Sequence, residues 1–128
     1  MKFISTRGKS PAVTAAEAIR RGLAPDGGLY VPDELPVFSA SELEALYALP
    51  YAELSAAVLL PGFSREELLE YTKKAYASFD DDAVVPLHAL GDKLWTMELF
   101  HGPTCAFKDV ALQILPYLLA ASVRKCAD

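Results

Sequence analysis

Glu98-Leu99-Phe100-His101-Gly102-Pro103-Thr104-Cys105-Ala106-Phe107-Lys108-Asp109 joins two unlike patterns. Before it, residues 94–100 alternate as a strand does, with Leu94, Thr96, Glu98 and Phe100 on one face and Trp95, Met97 and Leu99 on the other. After it, residues 110–123 are apolar nearly all round, the pattern of an enclosed helix. Gly102-Pro103 breaks both periods, so the stretch reads as strand, loop and helix, with Lys108 at or near the helix N-terminus. Together with the helix-rich chain before it, this sets the expected fold class as α/β in a mixed α+β arrangement.

A lysine at a helix start faces the positive end of the helix dipole, which works against its ammonium form; the Asp109 carboxylate works for it, and spacing does not fix the balance. In the neutral form such an amine attacks carbonyl carbon. For one lysine taken alone, a solvent-facing or salt-bridged side chain is the plainer reading.

Working outward, residues 1–6 read as a strand and Arg7-Gly8-Lys9-Ser10-Pro11 as its closing turn. Ser5-Thr6-Arg7-Gly8 carries the donors of an anion-binding loop, although a simple strand-ending turn explains the same residues. Thr14 and Glu17 have capping-box spacing, and Arg20-Arg21-Gly22 suits the C-terminal end of the helix they open. Pro25-Asp26-Gly27-Gly28 is a turn in which the aspartate can cap its own backbone. The strand expected over residues 29–31, ended by Pro32, pairs most simply with residues 3–6.

Three further helices are expected. Ser39 and Glu42 cap the first, whose stripe is Leu43, Leu46, Tyr47 and Leu49. Residues 51–60 form the second, facing inward with Leu54, Ala57 and Val58 and ended by Pro61-Gly62. Ser64 to Glu67 open the third, with Leu68, Leu69, Tyr71, Thr72, Ala75 and Tyr76 at helical spacing. Asp80-Asp81-Asp82 reads as a solvated linker rather than a metal site, because adjacent carboxylates diverge. It divides the chain into residues 1–82 and 83–128. His88, without a nearby cysteine or carboxylate pattern, reads as a satisfied structural group, and Gly91-Asp92-Lys93 as a hairpin turn. Pro116 should kink or interrupt the last helix.

An apolar content of 52% with a net charge of −5 describes a mildly acidic globular chain and offers nucleic acid no basic face. Two cysteines, Cys105 and Cys126, make no disulfide framework and fit a reducing, cytoplasmic compartment. Residues 110–123 are too few to span a bilayer, and the first residues lack the pattern of a signal peptide.

Two long segments carry a family resemblance: Leu99 to Thr104 followed by Ala106-Phe107-Lys108-Asp109, and Gly22-Leu23-Ala24-Pro25-Asp26-Gly27-Gly28-Leu29-Tyr30-Val31-Pro32. The first resembles the cofactor-lysine motif of the threonine synthase family, in the tryptophan-synthase-beta-like group; Cys105 stands where leucine is commoner. The second is similar to the N-terminal domain of that family, whose members commonly open with a strand ending in the Ser-Thr-Arg-Gly pattern.

The resemblance implies a helix-rich N-terminal domain with a small sheet, followed by the beginning of a fold-type-II pyridoxal-phosphate domain. It implies a parent enzyme that converts O-phospho-L-homoserine and water to L-threonine and phosphate. Lys108 is then the catalytic and cofactor-attaching residue, with Thr104, Asp109 and His101 at the cofactor, Thr104, Arg7 and Ser5 toward the substrate, and no metal. Since the sequence ends soon after the Lys108 helix, the expectation is that most of the cofactor site lies elsewhere. The chain alone is then expected to be inactive, to hold no pyridoxal phosphate, and to self-associate through the apolar helix. Another fold-type-II enzyme of the group, or a non-catalytic helical binding module, are the competing readings.

Overall fold

In a computed structural model describing residues 1–59 and 62–127, strand β1 (Phe3–Ser5) pairs antiparallel with β2 (Tyr30–Pro32), Ile4 opposite Val31. Helix α1 (Ala15–Arg21) lies between them in sequence. Thr14 caps α1 by accepting from the Glu17 amide at 3.2 Å. The expected reciprocal bond gives way to stronger partners, because Glu17 Oε1 takes Arg21 Nε at 2.7 Å and Arg20 Nη2 at 3.0 Å. Gly22, at φ 73°, ends the helix where a side chain would be strained.

Helices α2 (Ala40–Tyr47) and α4 (Arg65–Tyr76) both start in complete capping boxes, Ser39 with Glu42 and Ser64 with Glu67. Between them α3 (Tyr51–Val58) follows Pro50. The α4 stripe is buried through Leu68, Thr72 and Ala75. On α2 the expected stripe is not: no α2 residue is buried, and Tyr47 is 78% exposed. Its apolar face meets α3 without a second layer to close over it. The inward side of α3 also differs from expectation. Ala56 is buried and Val58 exposed, since Thr72 Oγ1 donates to Ala52 O at 2.8 Å and brings the Ala52 and Ala56 side against α4. Leu60 and Pro61, expected at the end of this helix, lie outside the described residues.

Strands β3 (Leu87–Gly91) and β4 (Leu94–Met97) make the expected hairpin, with an irregularity between Ala89 and Gly91. The strand expected to reach Phe100 stops at Met97. Glu98 N still donates to Pro86 O at 3.0 Å, and the chain then turns into the loop. Alternation does not sort the hairpin into an inner and an outer face, because every residue of both strands is exposed.

The apolar run after the loop is two helices rather than one: α5 (Asp109–Leu112) and α6 (Leu115–Lys125). Pro116 cannot donate to the turn before it, so the first helix ends and the proline sits in the first turn of the next. Nor is α6 enclosed on all sides. Leu118, Ala121 and Ser122 face inward, whereas Leu115, Leu119 and Val123 are exposed. Among the described residues no helix is long and apolar enough to cross a membrane.

One apolar cluster unites the chain on both sides of residue 82. Ala56, Phe63, Leu68 and Ala75 meet Ile114, Leu118 and Ala121. Helix α6 also packs on α1, whose buried residues are the small Ala15, Ala16 and Ala18, and short side chains let the two axes approach. Leu68 has no exposed surface, so Leu68→Ala should cost about 2–5 kcal/mol of stability. Ser122 Oγ is buried with no hydrogen-bond partner among the described residues, so Ser122→Ala should instead gain roughly 1 kcal/mol. Urea midpoints of the two variants, moving in opposite directions, check the packing; a shared direction contradicts it.

Candidate functional site

Residues 102–109 form a run of tight turns closed by one carboxylate. Cys105 N donates to Gly102 O at 3.0 Å, Asp109 N to Ala106 O at 2.9 Å, and Leu112 N to Lys108 O at 2.8 Å. Asp109 is only 2% exposed. Its Oδ2 accepts from Thr104 N at 2.8 Å, both its oxygens lie 2.9 Å from Thr104 Oγ1, and Oδ1 receives Gln113 Nε2 at 3.4 Å. Burial alone would raise the Asp109 carboxyl, and it is the largest single influence. The Thr104 amide and hydroxyl, with Gln113 and Ala106, outweigh it and hold the group below the usual carboxylate range.

This arrangement dictates its neighbours. A Cβ on buried Gly102 would collide with the Asp109 side chain, lying 2.6 Å from Oδ2. Cys105 takes a left-handed conformation, φ 57°, that a non-glycine residue seldom adopts. Lys108 occupies the N-cap position of α5 and is exposed. Because α5 is a single turn, the dipole expected from a long helix is absent. Asp109 turns inward to Thr104 and Gln113 instead of pairing with its neighbour lysine.

His101, at the start of the loop, spends both ring nitrogens on carboxylates. Nδ1 lies 2.6 Å from Asp80 Oδ1 and Nε2 2.7 Å from Glu98 Oε2, and the ring stacks on Phe100 at 4.6 Å. The hydrogen bond with Glu98, then that with Asp80, raises the imidazole above its ordinary value. Asp80 is therefore more than a solvated linker residue, its backbone N–H also reaching His101 O at 3.1 Å. His88 is exposed on β3, with Nε2 3.4 Å from Glu98 Oε1.

Ser5 and Arg7 gather elsewhere, around Asp26. Buried Ser5 donates from Oγ to Asp26 Oδ1 at 2.6 Å, and the same carboxylate accepts from Lys9 N at 2.9 Å and Gly28 N at 3.0 Å. Of the donors read as an anion-binding loop, the Ser5 hydroxyl is thus spent on an anion of the chain itself, while Thr6 Oγ1 accepts from Leu29 N at 3.0 Å. Arg7 Nη1 donates to Asp26 O at 3.1 Å while its guanidinium stays exposed. Led by Ser5, these bonds take the Asp26 carboxyl down to about 2. The Asp26 cluster and the Asp109 cluster share no hydrogen bond among the described residues.

The Asp26 cap on its own backbone was expected and is present in the Gly28 amide bond, whereas its hold on Ser5 and Lys9, and the pairing of Asp80 and Glu98 with His101, were not assigned from sequence. Asp26 had a local signal, its Pro-Asp-Gly-Gly turn. Asp80 had none, being 21 residues from His101. Among the described residues no cluster of metal-ligating side chains is present.

The class these features define is a mixed α+β chain that displays one lysine from a carboxylate-locked loop at a helix start. Residues 2–76 match the family described as "Threonine synthase N terminus". A threonine synthase of Pseudomonas aeruginosa is 45% identical over 123 residues, covering 93% of this chain and 26% of that protein. A crystal structure of PLP-bound threonine synthase from Brucella melitensis superposes with TM-score 0.92 at 39% identity, over 100% of this chain and 28% of that one. The yeast threonine synthase structure gives TM-score 0.84 at 37% identity, over 98% of this chain and 27% of that one. The chain belongs to the threonine synthase family, and it spans about a quarter of the length of these relatives.

Strong acid should loosen the first sheet as Asp26 takes up its proton. Asp26 is lowered from 3.8 to about 2, so its stabilising contribution is full above 3.8 and is lost as pH falls through about 2. Circular dichroism during acid titration should show that Asp26→Asn flattens this limb. An unchanged limb rules the linkage out. Gly102→Ala should destabilise by about 1–3 kcal/mol through the clash with Asp109, read from the thermal midpoint.

Proposed function

We propose that this chain is the N-terminal part of a pyridoxal-phosphate-dependent threonine synthase, a carbon–oxygen lyase that converts O-phospho-L-homoserine and water to L-threonine and phosphate. The observation that carries the reading is Lys108: an exposed amine at a helix start, on a loop whose shape is fixed from behind by Asp109. Those residues fit the cofactor at its point of attachment. Pyridoxal phosphate supplies an aldehyde that an amine can capture and a ring that withdraws electrons from a bound amino acid.

The chain's own residues take the following parts. Lys108 would hold the cofactor, and its amine is the group that would move protons on the substrate. Asp109 and Thr104 fix the backbone on either side of it. His101 serves the site by holding the loop, both its ring nitrogens being engaged. Arg7 offers its exposed guanidinium to the substrate phosphate, while Ser5 shapes that loop through Asp26. Phosphate departs from the γ carbon and water adds at the β carbon.

Residues 1–82 form the N-terminal domain, and residues 83–128 open the cofactor domain, whose α6 docks back on α1. Unpaired Cys105 and Cys126 suit a reducing cytoplasm. The exposed Leu115, Leu119 and Val123 of α6 favour self-association.

Phosphate release from O-phospho-L-homoserine by the whole polypeptide tests the assignment. Lys108→Ala should reduce it about 1,000-fold, the range of a lost nucleophile and base. Undiminished release by that variant would sink the role of Lys108. Absence of turnover in the unaltered whole polypeptide would point to another substrate in the same group.

A further inference from the structure

The Asp80, His101 and Glu98 cluster does more than satisfy a histidine. A carboxylate only accepts, and a neutral imidazole has one N–H and one lone pair. With Asp80 Oδ1 at 2.6 Å on Nδ1 and Glu98 Oε2 at 2.7 Å on Nε2, only the imidazolium donates to both. The three residues come from separate places. Asp80 belongs to the linker after α4, and Glu98 to the exit of the hairpin, where its amide is tied to Pro86 O at 3.0 Å. His101 opens the loop, its carbonyl accepting from the Asp80 amide at 3.1 Å, and the next residue is the Gly102 that Asp109 abuts.

The geometry points to Glu98 and Asp80 as positioning residues that keep His101 doubly protonated and thereby hold the 102–109 loop, and Lys108 on it, in place. This rests on the reading of Lys108 given above only for its chemical consequence; the clamp itself is a property of the apo chain. Among the described residues the charged and titratable groups facing His101 are Glu98 and Asp80, and His88 faces Glu98 from β3 at 3.4 Å. Glu98, 22% exposed, is the stronger arm; Asp80, 77% exposed, is screened by water. His101 is raised, so the clamp is fully closed below the ordinary histidine value of about 6.5 and opens as pH rises through the higher folded value.

The test uses the 128-residue chain without cofactor and reads two quantities against pH: the protonation of the His101 ring nitrogens by 15N NMR, and amide protection factors at Thr104 and Leu112. Thr104 N reports the bond to Asp109, and Leu112 N the bond to Lys108 O. Both His101 nitrogens should carry protons at neutral pH, and protection at the two amides should fall in the same pH step that deprotonates the ring. Glu98→Gln should move both midpoints down together, by about one unit or a tenfold change in proton affinity, and Asp80→Asn by less. Asp80→Asn changes an exposed side chain, so it carries the test if Glu98→Gln fails to fold.

A ring with one bare nitrogen at neutral pH overturns the inference, as does loop protection indifferent to the ring's titration. Neither readout involves the cofactor, so a failed clamp and a failed assignment of Lys108 are separately visible.

Discussion

A buried carboxylate is tolerated only when hydrogen bonds replace the water it lost, and Asp109 is the place where this chain meets that demand. The shortest of those bonds come from Thr104 in the loop itself, with Gln113 adding one from the end of α5. Thr104 must turn its amide and hydroxyl inward, which curls the chain through Cys105 into the left-handed region. Gly102 must lack a side chain, because its Cβ would occupy the space of Asp109. What remains for Lys108 is the outside. The lysine is displayed because its neighbour is hidden.

Asp26 solves the same problem at the other end of the chain. Both loops lack a strand or helix ladder for their backbone N–H groups, and in both one aspartate collects those donors. Around Asp26 the result is a fixed junction between β1 and β2, and around Asp109 a fixed junction between the hairpin and α5. In each case the carboxyl is held below the usual range for the same reason: donors aimed at the charged form outweigh the cost of burying it. The helical layer between the junctions needs no such device, since Ala56, Leu68 and Ala75 close on Ile114, Leu118 and Ala121 by apolar contact.

Much of this was legible where the cause is local. Ser39 with Glu42 and Ser64 with Glu67 started helices as their spacing required, and Pro116 divided the apolar run. The strands of Ser5 and Tyr30 paired as the simplest small sheet required. The mixed α+β class and the threonine synthase family were readable from two long motifs. What stayed hidden depended on competition or on distance. Glu17 left its capping box because Arg20 and Arg21 offered charged partners one turn on. Val58 faced outward because Thr72, 20 residues from Ala52, set the approach of α3 to α4. The exposure of Leu43 and Tyr47 followed from what the neighbouring layer left uncovered, which no period records. Within the site, the motif marked Lys108 and Asp109, yet nothing in it showed that the carboxylate turns away from the lysine.

The two ends of the Lys108 loop are held by charges of opposite sign, and this matters for how the loop answers pH. Asp109 stabilises as an anion, so its hold is present above the ordinary carboxylate value and lost as pH falls through its lowered one. His101 stabilises as a cation between Glu98 and Asp80, so its hold is present below the ordinary imidazole value and lost as pH rises through its raised one. Hydrogen bonding has pushed each value away from the interval between them, widening the range in which both holds act together. Two carboxylates or two imidazoles would have left the loop secured from one side of the pH scale only. With one of each, the loop that displays Lys108 is held at one end by an anion and at the other by a cation, and the two holds overlap between the lowered carboxyl and the raised imidazole.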